Sequence, residues 1–312
     1  MLARLQQAIT LSLLALAAAW ALWFARQQRW GWALVGAMLV LFGYALFLGL
    51  EFVLLAWTRD DDPAPRASAA QLLRAWWGEA RSAPRVFCWR QPFRSQAQPD
   101  FLDAGHRGRL GVVLVHGFVC NRGFWNPWLA RFRAAGVPFV AVNLEPVFGR
   151  IDDYVGTVDD AVRRVREATG RAPLVVAHSM GGLAVRAWLS RCVQRDAVEH
   201  VVTIGSPHAG TWLARFGVTP NSLQMRRRNA WLDGLRAAER ARAGQSPYAQ
   251  FTCFYSHCDN IVFPPSTATL PGADNRHVPG SAHVHLADQP EVFAEVWARL
   301  SASNSGSPAT RL

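Results

Sequence analysis

The stretch Leu174-Val175-Val176-Ala177-His178-Ser179-Met180-Gly181-Gly182-Leu183 constrains this chain more than any other. An apolar, β-branched run stops at a serine, two glycines follow, and a helix-like segment begins. A strand that turns this sharply into a helix lifts the serine hydroxyl above the edge of a sheet. Such a turn is crowded, so the residues two before and two after the serine must be small. Gly181 satisfies that need, and Ala177 satisfies it with one methyl more than the usual glycine. A serine presented in this way is suited to act as a nucleophile in acyl transfer. A strand-turn-helix unit also commits this part of the chain to an α/β arrangement.

The surrounding pattern agrees. Candidate strands at Leu110–Val115, Phe139–Asn143, Leu174–Ala177, His200–Ile204 and Phe251–Tyr255 alternate with candidate helices. The helices are expected at Pro127–Ala135, Asp153–Ala168, Gly182–Val193, roughly Ser222–Arg242 and Pro290–Leu300. Pro127 suits a first helical turn, and Asp152 suits an N-cap. Strand-helix alternation predicts a mostly parallel sheet covered on both faces. Val86–Phe93 reads as an additional early strand.

A serine nucleophile needs a base, a group that orients the base, and donors for the oxyanion. The run Gly111–Val115 ends in His116-Gly117-Phe118, where glycine lets the chain turn. The backbone amides of Phe118 and Met180 are the expected oxyanion donors. His116 and His178 are read as structural, the first bracing its loop and the second shaping the turn. Asp259 follows the strand Phe251–Tyr255, at the ligand-binding edge of an open α/β sheet. Asp274, in a Pro-Gly-rich loop, and Asp288, an apparent N-cap of the final helix, are its competitors. Gly280-Ser281-Ala282-His283-Val284-His285 offers two bases, His283 and His285, and both fit the order Ser, Asp, His along the chain.

Two apolar runs precede this region. Ile9–Ala25 is interrupted by Arg26-Gln27-Gln28-Arg29, and Trp32–Trp57 then carries Glu51 as its only charge. About 20 helical residues cross a bilayer core. Trp20, Trp23, Trp30, Trp32 and Trp57 lie near the run ends, where an aromatic belt belongs. The expectation is a two-helix membrane anchor over residues 1–58, with a cleaved signal peptide as the alternative for the first run. Glu51 is expected near an interface or against the partner helix, with a functional role inside the membrane as the alternative. A linker and juxtamembrane helix occupy 59–84, the main domain 85–302, and a polar tail 303–312. The loop carries Arg26 and Arg29, the flanks Arg4, Arg59, Arg66 and Arg74. That tally leans the main domain of a multi-pass inner-membrane protein toward the cytoplasm.

Composition narrows the partners. The net charge is +11 in 312 residues, and all 33 basic residues are arginine. No basic-aromatic recognition module accompanies the charge, so anionic lipid fits better than nucleic acid. Five cysteines match neither a zinc site nor a disulfide framework. No cofactor or metal is required by the chemistry, and oligomeric state is left open.

From Leu110 to Leu300 the chain resembles the lipase/esterase branch of the α/β hydrolases. Val115–Phe118 is similar to that family's oxyanion segment, and Ala177–Gly182 to the elbow of bacterial triacylglycerol lipases. Ile204-Gly205-Ser206-Pro207-His208-Ala209-Gly210-Thr211 resembles the segment after the next strand in those lipases. Asp259–Pro264 resembles the acid loop, and Gly280–His283 the histidine loop. The resemblance implies Ser179, Asp259 and His283 as the catalytic residues, and it is what favours His283 over His285. It implies hydrolysis of an acyl ester or lipid through an acyl-enzyme. An acyltransferase or thioesterase with the same residues is the alternative, and a catalytically idle membrane scaffold a further one. Residues 211–247 stand where such enzymes often carry a lid, here with Arg226, Arg227 and Arg228. The N-terminal hairpin departs from the secreted lipases.

Overall fold

The computed structural model describes residues 1–58, 62–194, 196–244 and 246–304. Arg59 of the arginine tally, Asp60 and Asp61 of the linker, and most of the expected tail lie outside the described residues.

A six-stranded, wholly parallel sheet carries the C-terminal two-thirds. Its strands are β1 (Val112–Val115), β2 (Phe139–Ala141), β3 (Leu174–His178), β4 (His200–Ile204), β5 (Phe251–Tyr255) and β6 (Asp274–His277). They stand in the order β2-β1-β3-β4-β5-β6. Every strand therefore ends on the same edge. Side chains alternate across the sheet as a two-residue period demands. Val113, Val115, Val175 and Ala177 belong to the core cluster on one face. Val112, Leu114, Leu174 and Val176 belong to the cluster on the other. All eight are fully buried. Strands buried on both faces read as continuous apolar runs, which is why β1 and β3 were legible.

The helices are α1 (Leu2–Arg26), α2 (Trp30–Trp57), α3 (Ala69–Pro84), α4 (Gln91–Arg94), α5 (Asn126–Ala134), α6 (Val155–Thr169), α7 (Met180–Arg191), α8 (Pro220–Gln224), α9 (Ala230–Ala243) and α10 (Pro290–Asn304). Val158 and Val165 of α6, Leu183 of α7 and Leu232 of α9 fill the first cluster. Leu129 and Phe132 of α5 and Val292 and Val296 of α10 fill the second. Pro127 falls in the first turn of α5. Helix α6 closes on Gly170 in the left-handed region, a residue without a Cβ where one would be strained.

Four expectations need correction. Val86–Phe93 is not a strand: it continues α3 through a π-helical stretch, Arg85–Arg90, into α4. Its apolar residues find no strand edge. Val86 instead enters the core, and Gln91 hydrogen-bonds α1. Asp152 is not an N-cap. It lies inside a 3₁₀ turn, Ile151–Tyr154, and its carboxylate accepts from Gln224 and from the Trp231 indole at 2.7 and 2.8 Å. The single helix expected over 222–242 is two, α8 and α9. They are separated by a bend in which Arg228 has φ 54° and Asn229 caps α9. Asp288 does not cap α10: it ends a 3₁₀ turn, His285–Asp288, and faces Arg90.

Helices α1 and α2 are each long and apolar enough to cross a membrane, at mean hydropathy 2.0 and 2.3. They form an antiparallel hairpin. The Trp20 indole donates to the Trp32 carbonyl at 2.9 Å, and it fits because Gly36 has no side chain there. Most of the hairpin's large apolar side chains are exposed. Its domain-proximal end is buried on one side. Phe52 and Leu55 pack with Ala75 of α3 and with Cys258, Phe263 and Ala282 of the main domain. Further ties run from Tyr44 Oη to the Ala80 carbonyl at 2.7 Å and from the Trp76 indole to the Ala45 carbonyl at 2.8 Å. Helix α3 opens with a capping box between Ser68 and Gln71, which satisfies two otherwise free amides. The hairpin is thus built into the main domain.

Candidate active site

Because all six strands are parallel, the loops that leave β3, β5 and β6 meet at one edge. Ser179 follows β3 directly, with φ 55° and ψ −129°. A non-glycine residue reaches that region only when its surroundings impose it. Here the Ser179 amide is held by the Ile204 carbonyl at 2.9 Å, and α7 starts at the next residue. The neighbouring glycines are obligatory. A Cβ on Gly181 would lie 2.6 Å from the His116 carbonyl oxygen, and one on Gly117 would lie 2.7 Å from the Ser179 Cβ.

His283 arrives from the loop after β6, and Asp259 from the loop after β5. His283 Nε2 lies 2.9 Å from Ser179 Oγ. Its Nδ1 lies 2.9 and 3.0 Å from the two oxygens of Asp259. Asp259 is buried and accepts the amides of Ile261 and Val262 at 2.9 and 2.8 Å, which fixes its carboxylate toward the ring. The structure therefore brings Ser179, Asp259 and His283 into one hydrogen-bonded line. It does not bring in the competitors. Asp274 lies on β6 and pairs with Arg276, and the His285 ring bonds Gln289.

The flanking histidines are braces. His116 joins the Gly117 carbonyl through Nδ1 at 2.9 Å and accepts the Leu144 amide on Nε2 at 3.0 Å. That pairing requires the neutral ring, and burial pushes its pKa down to about 4. His178 stacks on Phe124 and donates from Nε2 to the His283 carbonyl at 3.1 Å. Burial, then the charge on His283, holds it well below the usual histidine range. Phe118 lies in the turn after β1 and Met180 opens α7, the two positions at which the sequence reading expects the oxyanion amides. Among the described residues no cluster of three His, Cys, Asp or Glu could hold a metal ion.

A parallel sheet with the order above, a strained serine between β3 and α7, and a histidine and an aspartate on the loops after β6 and β5 decide the fold. The chain has the α/β-hydrolase fold. The sequence profile of the palmitoyl protein thioesterases matches residues 111–239. Among solved structures, mature lipase BlEst2 of Bacillus licheniformis superposes with a TM-score of 0.53 at 17% identity, covering 62% of this chain and 92% of that one. Lipase B of Aspergillus fumigatus gives 0.54 at 20% identity, covering 67% and 57%. The propeptide form of BlEst2 gives 0.52 at 17%, covering 62% and 50%. At these identities the likeness establishes the fold. No curated protein sequence matches the chain.

The site carries three further features: two that sequence reasoning missed, Glu79 and Gly205, and Glu51, which it had singled out without a partner. The first is Glu79 of α3, fully buried, whose carboxylate accepts the amides of Val284 and His285 at 3.0–3.1 Å. It anchors the histidine loop, and burial pushes its pKa up to about 7. The second is Glu51 of α2. It accepts from Asn260 Nδ2 at 2.6 Å, while Asn260 Oδ1 accepts the His283 amide at 3.2 Å. The third is Gly205, at φ 55° after β4. A Cβ there would lie 3.0 Å from Asp259 Oδ2 and 3.2 Å from His283 Nδ1. A charged residue inside an apolar span was the one signal for Glu51, and nothing local marked Glu79.

Burial disfavours the imidazolium of His283. The Asp259 carboxylate, with Glu79 and Glu51 behind it, outweighs burial and raises its pKa above the ordinary value. The site opens on a cavity of about 910 Å³, lined by Ser179, His283 and Phe118 on one side and by hairpin residues on the other. Residues 211–247 do not line it. That segment lies along α7, held by the buried Arg186–Glu239 pair at 2.7 Å, and Arg226 bonds the carbonyls of Ala214 and Gly217. The hairpin and α3 cover the position expected for a lid.

Proposed function

We propose that the protein is a membrane-anchored serine hydrolase of carboxylic esters. Ser179 Oγ attacks the ester carbonyl, and His283 Nε2 takes its proton. Asp259 holds the ring and stabilises the imidazolium, and the amides of Phe118 and Met180 bind the oxyanion. As the C–O bond breaks, His283 returns the proton to the departing alcohol. A water, deprotonated by the same nitrogen, then cleaves the acyl-serine. The observation that carries this reading is the continuous line Ser179 Oγ–His283 Nε2 and His283 Nδ1–Asp259, both at 2.9 Å. The exposed apolar surface of α1 and α2 supports anchoring in a bilayer.

Thioester hydrolysis is the second reading. The profile match to palmitoyl protein thioesterases over 111–239 favours it, and the same residues would serve. Transfer to an acceptor other than water would use the same acyl-serine. The test is labelling of the detergent-solubilised protein by a short fluorophosphonate, alongside turnover of matched oxygen esters and thioesters. Ser179→Ala is expected to abolish labelling and lower turnover at least a thousandfold. Turnover that survives in Ser179→Ala would overturn the reading, and the ester-to-thioester ratio separates the two substrate classes.

A further inference from the structure

The cavity at Ser179 is made by two parts of the chain that the sequence separates. The sheet edge contributes Ser179 and His283, and the hairpin contributes the larger share of the apolar wall, completed by Ala83, Pro84 and Phe87 and by the loops at Phe118 and Ile261. On α1 the wall residues are Leu13 and Leu14. On α2 they include Leu39, Gly43 and Phe47, spaced four apart along one stripe of the helix, with flanking residues of 40–48 beside them. Phe42 lies beside them. From Leu39 to Phe47 the stripe runs roughly 12 Å along α2. Phe42, Phe47 and Leu39 are each at least half exposed, so the cavity is open on the side where the hairpin presents its apolar surface. Ser179, His283, Glu51 and Asn260 give the cavity a polar end at the serine, and Thr10, Tyr44, Glu79 and Cys88 are the other polar residues that line it. Its volume of about 910 Å³ is near the upper end for ligand sites.

We propose that the hairpin is one wall of the acyl-binding site, and that the substrate is the long-chain acyl group of a membrane lipid ester. The chain enters sideways from the bilayer between α1 and α2. This rests on the serine-hydrolase reading above and names the substrate class of that same site. A long acyl chain in this cavity exchanges one largely apolar medium for another and keeps its carbonyl beside Ser179. A short or polar ester leaves the wall unfilled.

The experiment is a p-nitrophenyl ester series from butyrate to palmitate on the full chain in mixed micelles. Each variant is read as its palmitate-to-butyrate ratio of kcat/KM, so that the fraction of folded enzyme cancels. A Cβ on Gly43 meets nothing nearer than Leu39 at 4.0 Å, so Gly43→Phe projects a ring into the cavity. It is expected to lower the ratio at least tenfold. Leu14→Trp, on the opposite wall, is expected to lower it in the same direction. Gly31→Phe, at the hairpin tip with nothing within 4 Å, is expected to leave the ratio within twofold. A ratio unmoved by both wall variants would overturn the proposal, as would an equal fall in Gly31→Phe. Loss of fluorophosphonate labelling at Ser179 in the wild type would strike instead at the serine-hydrolase reading.

Discussion

Helix α7 connects two clusters of buried charge that are built in opposite ways. At its start, beside Ser179, lie the carboxylates of Asp259, Glu79 and Glu51, all buried, with His283 as the titratable partner they share. Two turns further on, Arg186 makes a bidentate pair with Glu239 at 2.7 Å and donates to the His208 carbonyl and the Tyr248 hydroxyl. In the second cluster each charge meets its opposite and every polar atom of the guanidinium is occupied. That arrangement fixes α9 against α7 and leaves no reason for a proton to move. In the first, carboxylates outnumber the permanent cations facing them, so the surplus is stored as proton affinity. The comparison teaches that burial of charge by itself is not a sign of function. What separates the two clusters is whether a proton can change the balance: the cluster at Ser179 holds a histidine whose charged form the neighbouring carboxylates favour.

The largest expected effect tests the balanced cluster. Glu239→Ala leaves Arg186 buried without its partner and should lower stability by about 3–5 kcal/mol. Thermal unfolding in detergent measures this. The double change Arg186→Met with Glu239→Leu should recover most of the loss, and a single variant as stable as the wild type would break the contrast.

Next comes the approach of β4 to the Asp259–His283 pair. Gly205→Ala forces a Cβ to 3.0 Å from a carboxylate oxygen and puts alanine at φ 55°. A left-handed alanine costs roughly 1–2 kcal/mol, while on the proposed mechanism a displaced Asp259–His283 pair loses about a hundredfold in rate. Steady-state kinetics beside thermal melting should therefore show a loss of kcat far beyond the loss of fold.

The smallest effect sharpens the unbalanced cluster. Glu79 has its pKa raised from 4.5 to about 7 by burial. A carboxyl with a raised folded pKa stabilises below its unfolded pKa, and that contribution is lost as pH rises through about 7. Wild-type stability should thus fall between pH 5 and 8 relative to Glu79→Gln. In the same variant His283 loses a carboxylate that favours its charged form. The acid limb of kcat/KM, which follows deprotonation of His283, should move to lower pH. A limb that stays in place would show that Glu79 acts only on the loop backbone.

Much of this was readable from the chain, and the parts that were not share a cause. The turn at Ser179, the acid loop and the histidine loop are local patterns. Each is written within a dozen residues, and the structure places all three at one edge because the strands are parallel. Strand β6 escaped notice because Asp274-Asn275-Arg276-His277 has no apolar alternation. It is an edge strand, with one face and one side to solvent. Val86–Phe93 misled for the converse reason, since its β-type composition is overridden by packing on α1 and the core. Residues 211–247 carried an amphipathic pattern consistent with a lid. The same pattern serves a helix that packs on α7, and periodicity does not say which surface it meets.

The sequence by itself determined the α/β class, the serine at a strand-to-helix turn, and two apolar helices ahead of the main domain. It did so because backbone sterics and side-chain periodicity act over a few residues. Only the tertiary structure decided that the hairpin is a wall of the site. It also decided that Glu51 and Glu79 stand behind His283, across 209 positions to Asn260 and 205 to Val284. Contacts at that separation arise from how layers stack, and no local pattern of residue types encodes which faces will meet.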